Sequence, residues 1–140
     1  MAAFLRRILP SRLVSLLLPL CLCLGLALTA CSNAGLLSGN YVDDTVLVAR
    51  SLESTIALGA EDPGRSEAET QARALINDYM SRYRPRDSVN GLASFTTMQT
   101  ALNSLAGHYA NYPNRPLPDS LRSRVDKELH QAEAGAVRGS

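Results

Sequence analysis

An apolar stripe in the second half of the chain is the feature that most constrains the fold. Its members recur at alternating steps of three and four residues, which places them on one side of an α-helix. The stripe predicts a helix over about residues 92–109, with one buried face. Its members are Phe95, Met98, Leu102, Leu105, Tyr109 and Tyr112.

Three further segments repeat this helical period, and connectors with glycine or proline separate them. They cover about residues 41–58, 66–84 and 119–140. Ser66 and Glu69 stand three residues apart and predict a capping box at the start of the second segment. The last stripe weakens after Gly135, where we expect the chain to fray. Four amphipathic segments without a strand pattern predict an all-α, antiparallel four-helix bundle.

The first thirty residues have the layout of an export signal. Arginines come first, and an uncharged apolar run follows over residues 13–28. This run is shorter than the roughly 20 residues that cross a bilayer. The box Leu28-Thr29-Ala30-Cys31 resembles the bacterial lipobox, in which a diacylglycerol joins the cysteine sulfur before the signal is cut. An ordinary signal peptide or an uncleaved anchor is the alternative.

The sequence thus predicts a cleaved lipoprotein signal peptide over residues 1–30, a flexible tether over residues 31–40 and the bundle over residues 41–140. Cleavage removes three arginines, which changes the formal net charge from +1 to −2. Nothing in this mildly acidic balance suggests nucleic-acid binding. All three cysteines lie at or before Cys31, so we expect the mature domain to have neither a disulfide nor a cysteine nucleophile.

The mature chain offers little chemistry, and we expect neither an enzyme, nor a metal site, nor a cofactor. An acidic pair, Asp43 and Asp44, is better explained by the positive end of a helix dipole than by a metal. Only His108 and His130 bring imidazoles. Three side chains on one face of the fourth helix form the alternative, a metal-binding face against a solvated one. They are Asp126, His130 and Glu133.

The connector between the third and fourth helices contains aromatic and charged residues that a helical bundle does not require in a loop. The run GHYANYPNRPLP holds two tyrosines, an arginine and three prolines. Tyr112 and Arg115 are residue types that anchor protein interfaces, although the tyrosines could simply close the end of the bundle. The exposed side of the second helix adds further candidate contacts, which could instead pair along their own helix. They are Arg73, Asp78 and Arg82.

Two long runs carry a family resemblance, ARALINDYMSRYR (residues 72–84) and GLASFTTMQTALNSLAGHYANYPNRPLP (residues 91–118). Together with GNYVDDT at the first helix and the lipobox, they resemble the lumenal photosystem II assembly and repair lipoproteins of cyanobacteria, the twenty-seventh in the Psb series. The resemblance covers nearly all of the mature chain.

The resemblance implies a four-helix bundle that is lipid-anchored on the lumenal side of the thylakoid membrane. It implies transient binding to immature or damaged photosystem II, at the large lumenal loop of the smaller inner antenna chlorophyll protein. Such a factor acts before the manganese cluster is assembled and before the extrinsic subunits bind. We expect a monomer. A general cell-envelope lipoprotein with a structural or metal-buffering role is the alternative.

Overall fold

The computed structural model describes residues 35–140, and these form four long helices and one short one. They are α1 (Tyr41–Ile56), α2 (Arg65–Tyr83), α3 (Asp87–Asn90), α4 (Ala93–Asn111) and α5 (Asp119–Arg138). The prediction of an all-α helical bundle is confirmed. Within the described part of the chain, no helix combines the length and the hydropathy needed to cross a membrane.

Each long helix packs against two neighbours: α1 and α4 both lie against α2 and α5. The neighbours run antiparallel. On α1 and α5, for example, Arg50 pairs with Glu133 while Glu53, one turn further on, pairs with His130. The short helix α3 replaces part of the predicted loop between the second and third long helices, because Val89 turns inward and is buried there.

Aliphatic side chains and tyrosines fill the core. Tyr79 lies at its centre, with its ring centroid 4.9 Å from that of Tyr83 and 6.3 Å from that of Phe95.

The middle of each predicted stripe is buried, and burial decreases at one end. Val42, in the first turn of α1, is 37% exposed, and Tyr112, just after the last residue of α4, is 51% exposed. Ala68 on α2 and Leu121 on α5, each in the first turns of its helix, are half-buried.

The start of α2 differs from the prediction. Gly64 precedes the first helical residue, and no side chain caps the helix, so the capping box of Ser66 and Glu69 is wrong. Glu69 is instead buried, and its Oε1 accepts a hydrogen bond of 2.7 Å from Nη1 of Arg65, one turn earlier. Arg73, four residues after Glu69, instead donates to the carbonyl of Tyr109.

The last residues of the predicted tether, from Leu37 onward, are held against the bundle rather than flexible. Leu37 is buried in the core cluster. The amide of Ser38 and its hydroxyl donate to Oδ1 of Asp44, and the amide of Gly39 donates to Oδ2. Asp44 is 1% exposed and also accepts from the Tyr83 hydroxyl at 2.5 Å. It therefore fastens the chain before α1, beyond any effect on the helix dipole.

The C-terminus is ordered, and the expected fraying is wrong. Gly139 has a positive φ of 80°, and the amides of Gly139 and Ser140 donate to the carbonyls of Ala136 and Gly135. This pair of bonds is a Schellman motif, which satisfies the last carbonyls of a helix. The carbonyl of Ser140 in turn accepts from the amide of Ser94, so α5 is fastened to the start of α4.

The predicted signal, the lipobox and Cys31 lie outside the described residues. Cleavage and lipidation therefore stay predictions.

Candidate interaction surface at the α4–α5 corner

Residues 112–118 connect α4 to α5 and form what we call the α4–α5 corner. The amide of Tyr112 donates to the His108 carbonyl at 2.8 Å, which closes the last turn of α4. Asn114 then takes a positive φ of 63°, a conformation that asparagine tolerates better than most residues. Prolines at 113, 116 and 118 fix φ at three further positions. The backbone of the corner is thus largely set by its own sequence.

Two side chains from other parts of the fold also hold this backbone. Nε2 of His108, on α4, lies 3.0 Å from the carbonyl oxygen of Arg115. Nη2 of Arg65, at the start of α2, donates to the carbonyl of Asn114 at 2.9 Å. Arg65 is itself fixed by its bond to the buried Glu69. The corner is therefore tied to both α2 and α4, and it loses little conformational entropy when it is contacted.

The side chains of Tyr112 and Arg115 remain exposed, although their backbone is held. Tyr112 is half exposed, with its ring centroid 5.5 Å from that of His108. Arg115 is exposed and makes no ion pair with another residue in the described part of the chain. A supported aromatic ring and an available guanidinium on a fixed backbone are suited to anchor a protein partner.

Arg73 extends this surface onto α2. Its Nη2 donates to the carbonyl of Tyr109 at 3.1 Å, and its guanidinium carbon lies 5.6 Å from the centroid of the Tyr109 ring. Beside it, between α2 and α4, is an open cavity of about 340 Å³ whose wall reaches Pro113 of the corner. Burial, together with Glu69, raises the pKa of the Tyr109 hydroxyl to about 12, so it stays protonated at neutral pH.

Asp78 and Arg82 do not belong to the same surface. Arg82 is nine residues beyond Arg73, which places it about 13 Å further along α2, toward the opposite end of the bundle. Its Nη2 lies 3.9 Å from Oδ1 of Asp78, so the two charges face one another as the sequence allowed. Of the five predicted contact residues, Tyr112 and Arg115 lie in the corner itself, and Arg73 lines the adjoining cavity together with Pro113.

Sequence reasoning missed the residues that position this surface. Arg65 is the first residue of α2, but the predicted helix began at residue 66, so the sequence placed Arg65 in the preceding connector. His108 had no acidic or histidine neighbour within a turn, and its true partner is a backbone carbonyl seven residues away. Every residue has a backbone carbonyl, so no pattern of residue types indicates which carbonyl a side chain will bond. The only available signal was that both residues flank the segments that meet at the corner.

The predicted polar face on α5 is also rearranged. His130 and Glu133 lie close together, but the third member of the group is Glu53 from α1 rather than Asp126. Nδ1 of His130 makes a hydrogen bond with the Glu53 carboxylate. Glu53 is therefore the chief cause of the raised pKa of His130.

The fold defines a class: a small antiparallel helical bundle. The whole-chain comparison is specific. The family described as Photosystem II Pbs27 matches residues 6–135, and the chain belongs to this family. The match confirms the resemblance seen in the sequence.

Three curated relatives show how far the likeness extends. The photosystem II lipoprotein Psb27 of Synechocystis sp. is 48% identical over 90% of this chain and 94% of its own. The photosystem II assembly factor lipoprotein Psb27 of Thermosynechococcus vestitus is 48% identical over 84% and 88%. The chloroplastic photosystem II repair protein PSB27-H1 of Arabidopsis thaliana is 32% identical over 71% and 58%.

Solved structures agree with the fold. The solution structure of Psb27 from cyanobacterial photosystem II has a TM-score of 0.73 and 49% identity, and covers 79% of this chain and 96% of its own. The crystal structure of PSB27 from Arabidopsis thaliana has a TM-score of 0.69 and 32% identity, and covers 71% and 98%.

Proposed function

We propose that the chain is an assembly and repair factor of photosystem II. One observation carries the proposal: the chain matches, over most of its length, relatives that are named an assembly factor lipoprotein and a repair protein of this complex. These names describe action on another complex, and they favour a binding role over catalysis. We infer no cofactor.

In its finer form, the proposal gives the chain a lipid anchor at Cys31 and a place on the lumenal side of the thylakoid membrane. The lipobox supports the anchor, and the word lipoprotein in the names of two relatives agrees with it. The chain binds immature or damaged photosystem II at the lumenal loop of the smaller inner antenna chlorophyll protein. It does so as a monomer, before the manganese cluster forms and the extrinsic subunits bind.

The α4–α5 corner is the contact surface that we propose. A factor that binds and then leaves needs a few strong anchors rather than a large apolar face. Tyr112 supplies an aromatic anchor and Arg115 a charge, while the ties from His108 and Arg65 keep their backbone in place. Arg73 adds a second guanidinium beside the adjoining cavity.

Fractionation of cyanobacterial cells tests the function. The chain is expressed with an affinity tag after Ser140, which leaves in place the carbonyl that fastens α5 to α4. We expect it to co-purify with photosystem II that lacks manganese and the extrinsic subunits, and to be absent from the mature complex. Recovery with general envelope proteins instead would favour the alternative, an envelope lipoprotein with a structural or metal-buffering role.

Charge reversal tests the contact surface. Arg115→Glu should weaken binding to the isolated lumenal loop by more than Arg124→Glu, the matched control. Arg124 is also exposed, but it lies on the side of α5, where it bonds Ser104 and faces Glu128. Both variants should keep the helical content and the melting temperature of the unaltered chain. Equal affinities for the two folded variants would remove the corner from the interface.

A further inference from the structure

Three side chains on the α1–α5 side of the bundle form a compact group that the proposed function does not use. Glu53, His130 and Glu133 each offer one ligand atom, and these atoms all lie within 4.8 Å of one another. We call this group the α1–α5 cluster. The two residues on α5 are three apart and share a helix face, and Glu53 reaches them from the neighbouring helix.

We propose that the α1–α5 cluster binds Zn²⁺ through the imidazole of His130 and the carboxylates of Glu53 and Glu133, with water completing the shell. Imidazole nitrogen and carboxylate oxygen are the ligand types found in three-ligand zinc sites. At bond lengths of about 2.0–2.2 Å, tetrahedral ligand atoms are about 3.4 Å apart. The three atoms therefore need to move by only about 1 Å, which side-chain rotation supplies. This proposal departs from the expectation of no metal.

The carboxylates of the cluster are already held in place by positively charged side chains. Nδ1 of His130 and the Glu53 carboxylate share a hydrogen bond, and Oε1 of Glu133 lies 2.7 Å from Nη2 of Arg50. A zinc ion would replace the bonded proton on His130 and the guanidinium of Arg50. Both α1 and α5 are well packed, so the ligands are carried by rigid elements.

The ligand set selects zinc over the harder cations. Calcium takes six to eight oxygen ligands, and magnesium demands a nearly ideal octahedron of oxygens. Two carboxylates and one imidazole satisfy neither ion, and manganese shares the preference for oxygen. The proposal is therefore compatible with an absence of tight calcium or manganese binding.

Calorimetric titration with zinc chloride provides the first test, on residues 33–140. This part of the chain is one compact unit, and it excludes the three cysteines, whose thiolates would also bind zinc. The solution structure of a relative, 96% of which aligns with 79% of this chain, has the same fold. We expect one saturable site, and calcium and manganese chlorides should give no comparable heat.

Three variants and a control assign the ligands. Glu53→Gln and His130→Gln should each weaken zinc binding by at least about tenfold. Arg50→Gln should tighten it, because Glu133 no longer has a competing partner. Glu67→Gln, an exposed change on α2, should leave the affinity unchanged. Unchanged affinity in Glu53→Gln would overturn the proposal and indicate adventitious binding to a surface histidine.

Nuclear magnetic resonance of the two imidazoles supplies an internal comparison, because the chain contains only two histidines. One equivalent of zinc should shift the His130 ring resonances and leave those of the buried His108 in place. Shifts at His108, or no saturable heat in the titration, would refute the site. None of these outcomes depends on association with photosystem II, so the zinc site and the proposed function fail separately.

Discussion

Removal of one hydroxyl, in Tyr83→Phe, tests how the chain before α1 is fastened. The Tyr83 hydroxyl donates to Oδ2 of the buried Asp44, which also accepts three hydrogen bonds from Ser38 and Gly39. Burial raises the pKa of Asp44, but these hydrogen bonds outweigh it, and the net pKa is lowered. Burial and the neighbouring carboxylate raise the pKa of Tyr83, so its hydroxyl stays a donor at pH 7.

The expected loss follows from the charge of the acceptor. A hydrogen bond to a charged group contributes about 1.5–3 kcal/mol, against about 0.5–1.5 kcal/mol between neutral groups. For the about 106 described residues at about 2.1 cal/mol/K each, a loss of about 2 kcal/mol lowers the melting temperature by about 9 °C. Because the folded pKa of Asp44 is depressed, its stabilising charge is present above about pH 4 and is lost as the pH falls below that.

Tyr79→Phe is the matched control, because the Tyr79 hydroxyl bonds a neutral group, Oγ1 of Thr45, at 2.7 Å. Urea denaturation of both variants between pH 7 and pH 3 measures the two costs. We expect a larger loss for Tyr83→Phe at pH 7 that shrinks toward the control value at low pH. Equal losses at pH 7 would refute the assignment of a charged acceptor.

Three further predictions concern the anchor, metals and packing. Cys31→Ser should leave the fold intact and abolish the lipid-dependent mass increase and membrane retention, and an unchanged mass would exclude lipidation there. Manganese and calcium should not bind saturably at micromolar concentrations, about −8 kcal/mol, and a one-to-one calorimetric titration with either ion would contradict this. Gly135→Val should lower the free energy of unfolding by about 1–3 kcal/mol, because even a Cβ at Gly135 would lie 3.0 Å from Cβ of Ser94. Gly107→Ala, at an open helical position, should raise it by about 0.5–1 kcal/mol, and urea denaturation compares the two glycine variants.

The helices could be predicted from the sequence because their signals are local and repeated. The stripe from Phe95 to Tyr109 is buried throughout, since a period of three and four residues has one structural solution. The contacts made by the two ends of the chain, in contrast, produce no repeating pattern in the sequence. The carbonyl of Ser140 meets the amide of Ser94, and Leu37 enters the core, through contacts between segments that are distant in sequence. The fraying expected at the C-terminus was therefore wrong, and residues 37–40 of the predicted tether make contacts that the sequence did not indicate.

The candidate site was predictable in its composition but not in its geometry. The prolines and Tyr112 marked the α4–α5 corner, because these residue types are unusual in a simple connector. Polar pairing was harder to predict, since charges four residues apart on a helix compete with partners on other helices. Glu69 pairs with Arg65 and not with Arg73, and His130 pairs with Glu53 rather than with Asp126.

The polar groups at the two ends of the bundle differ in whether they are free to bind a partner. This difference supports the corner as a contact surface. Near the start of α1, Asp44 and Tyr83 are buried and satisfy one another, so no bonding capacity is left for a partner. At the corner, the bonds from His108 and Arg65 are made to backbone carbonyls, while the side chains of Tyr112 and Arg115 are left available to solvent. The bonds that make the corner rigid therefore do not use the side chains of Tyr112 and Arg115. A partner docking there gains the contacts of an aromatic ring and a guanidinium without first having to order the loop that carries them.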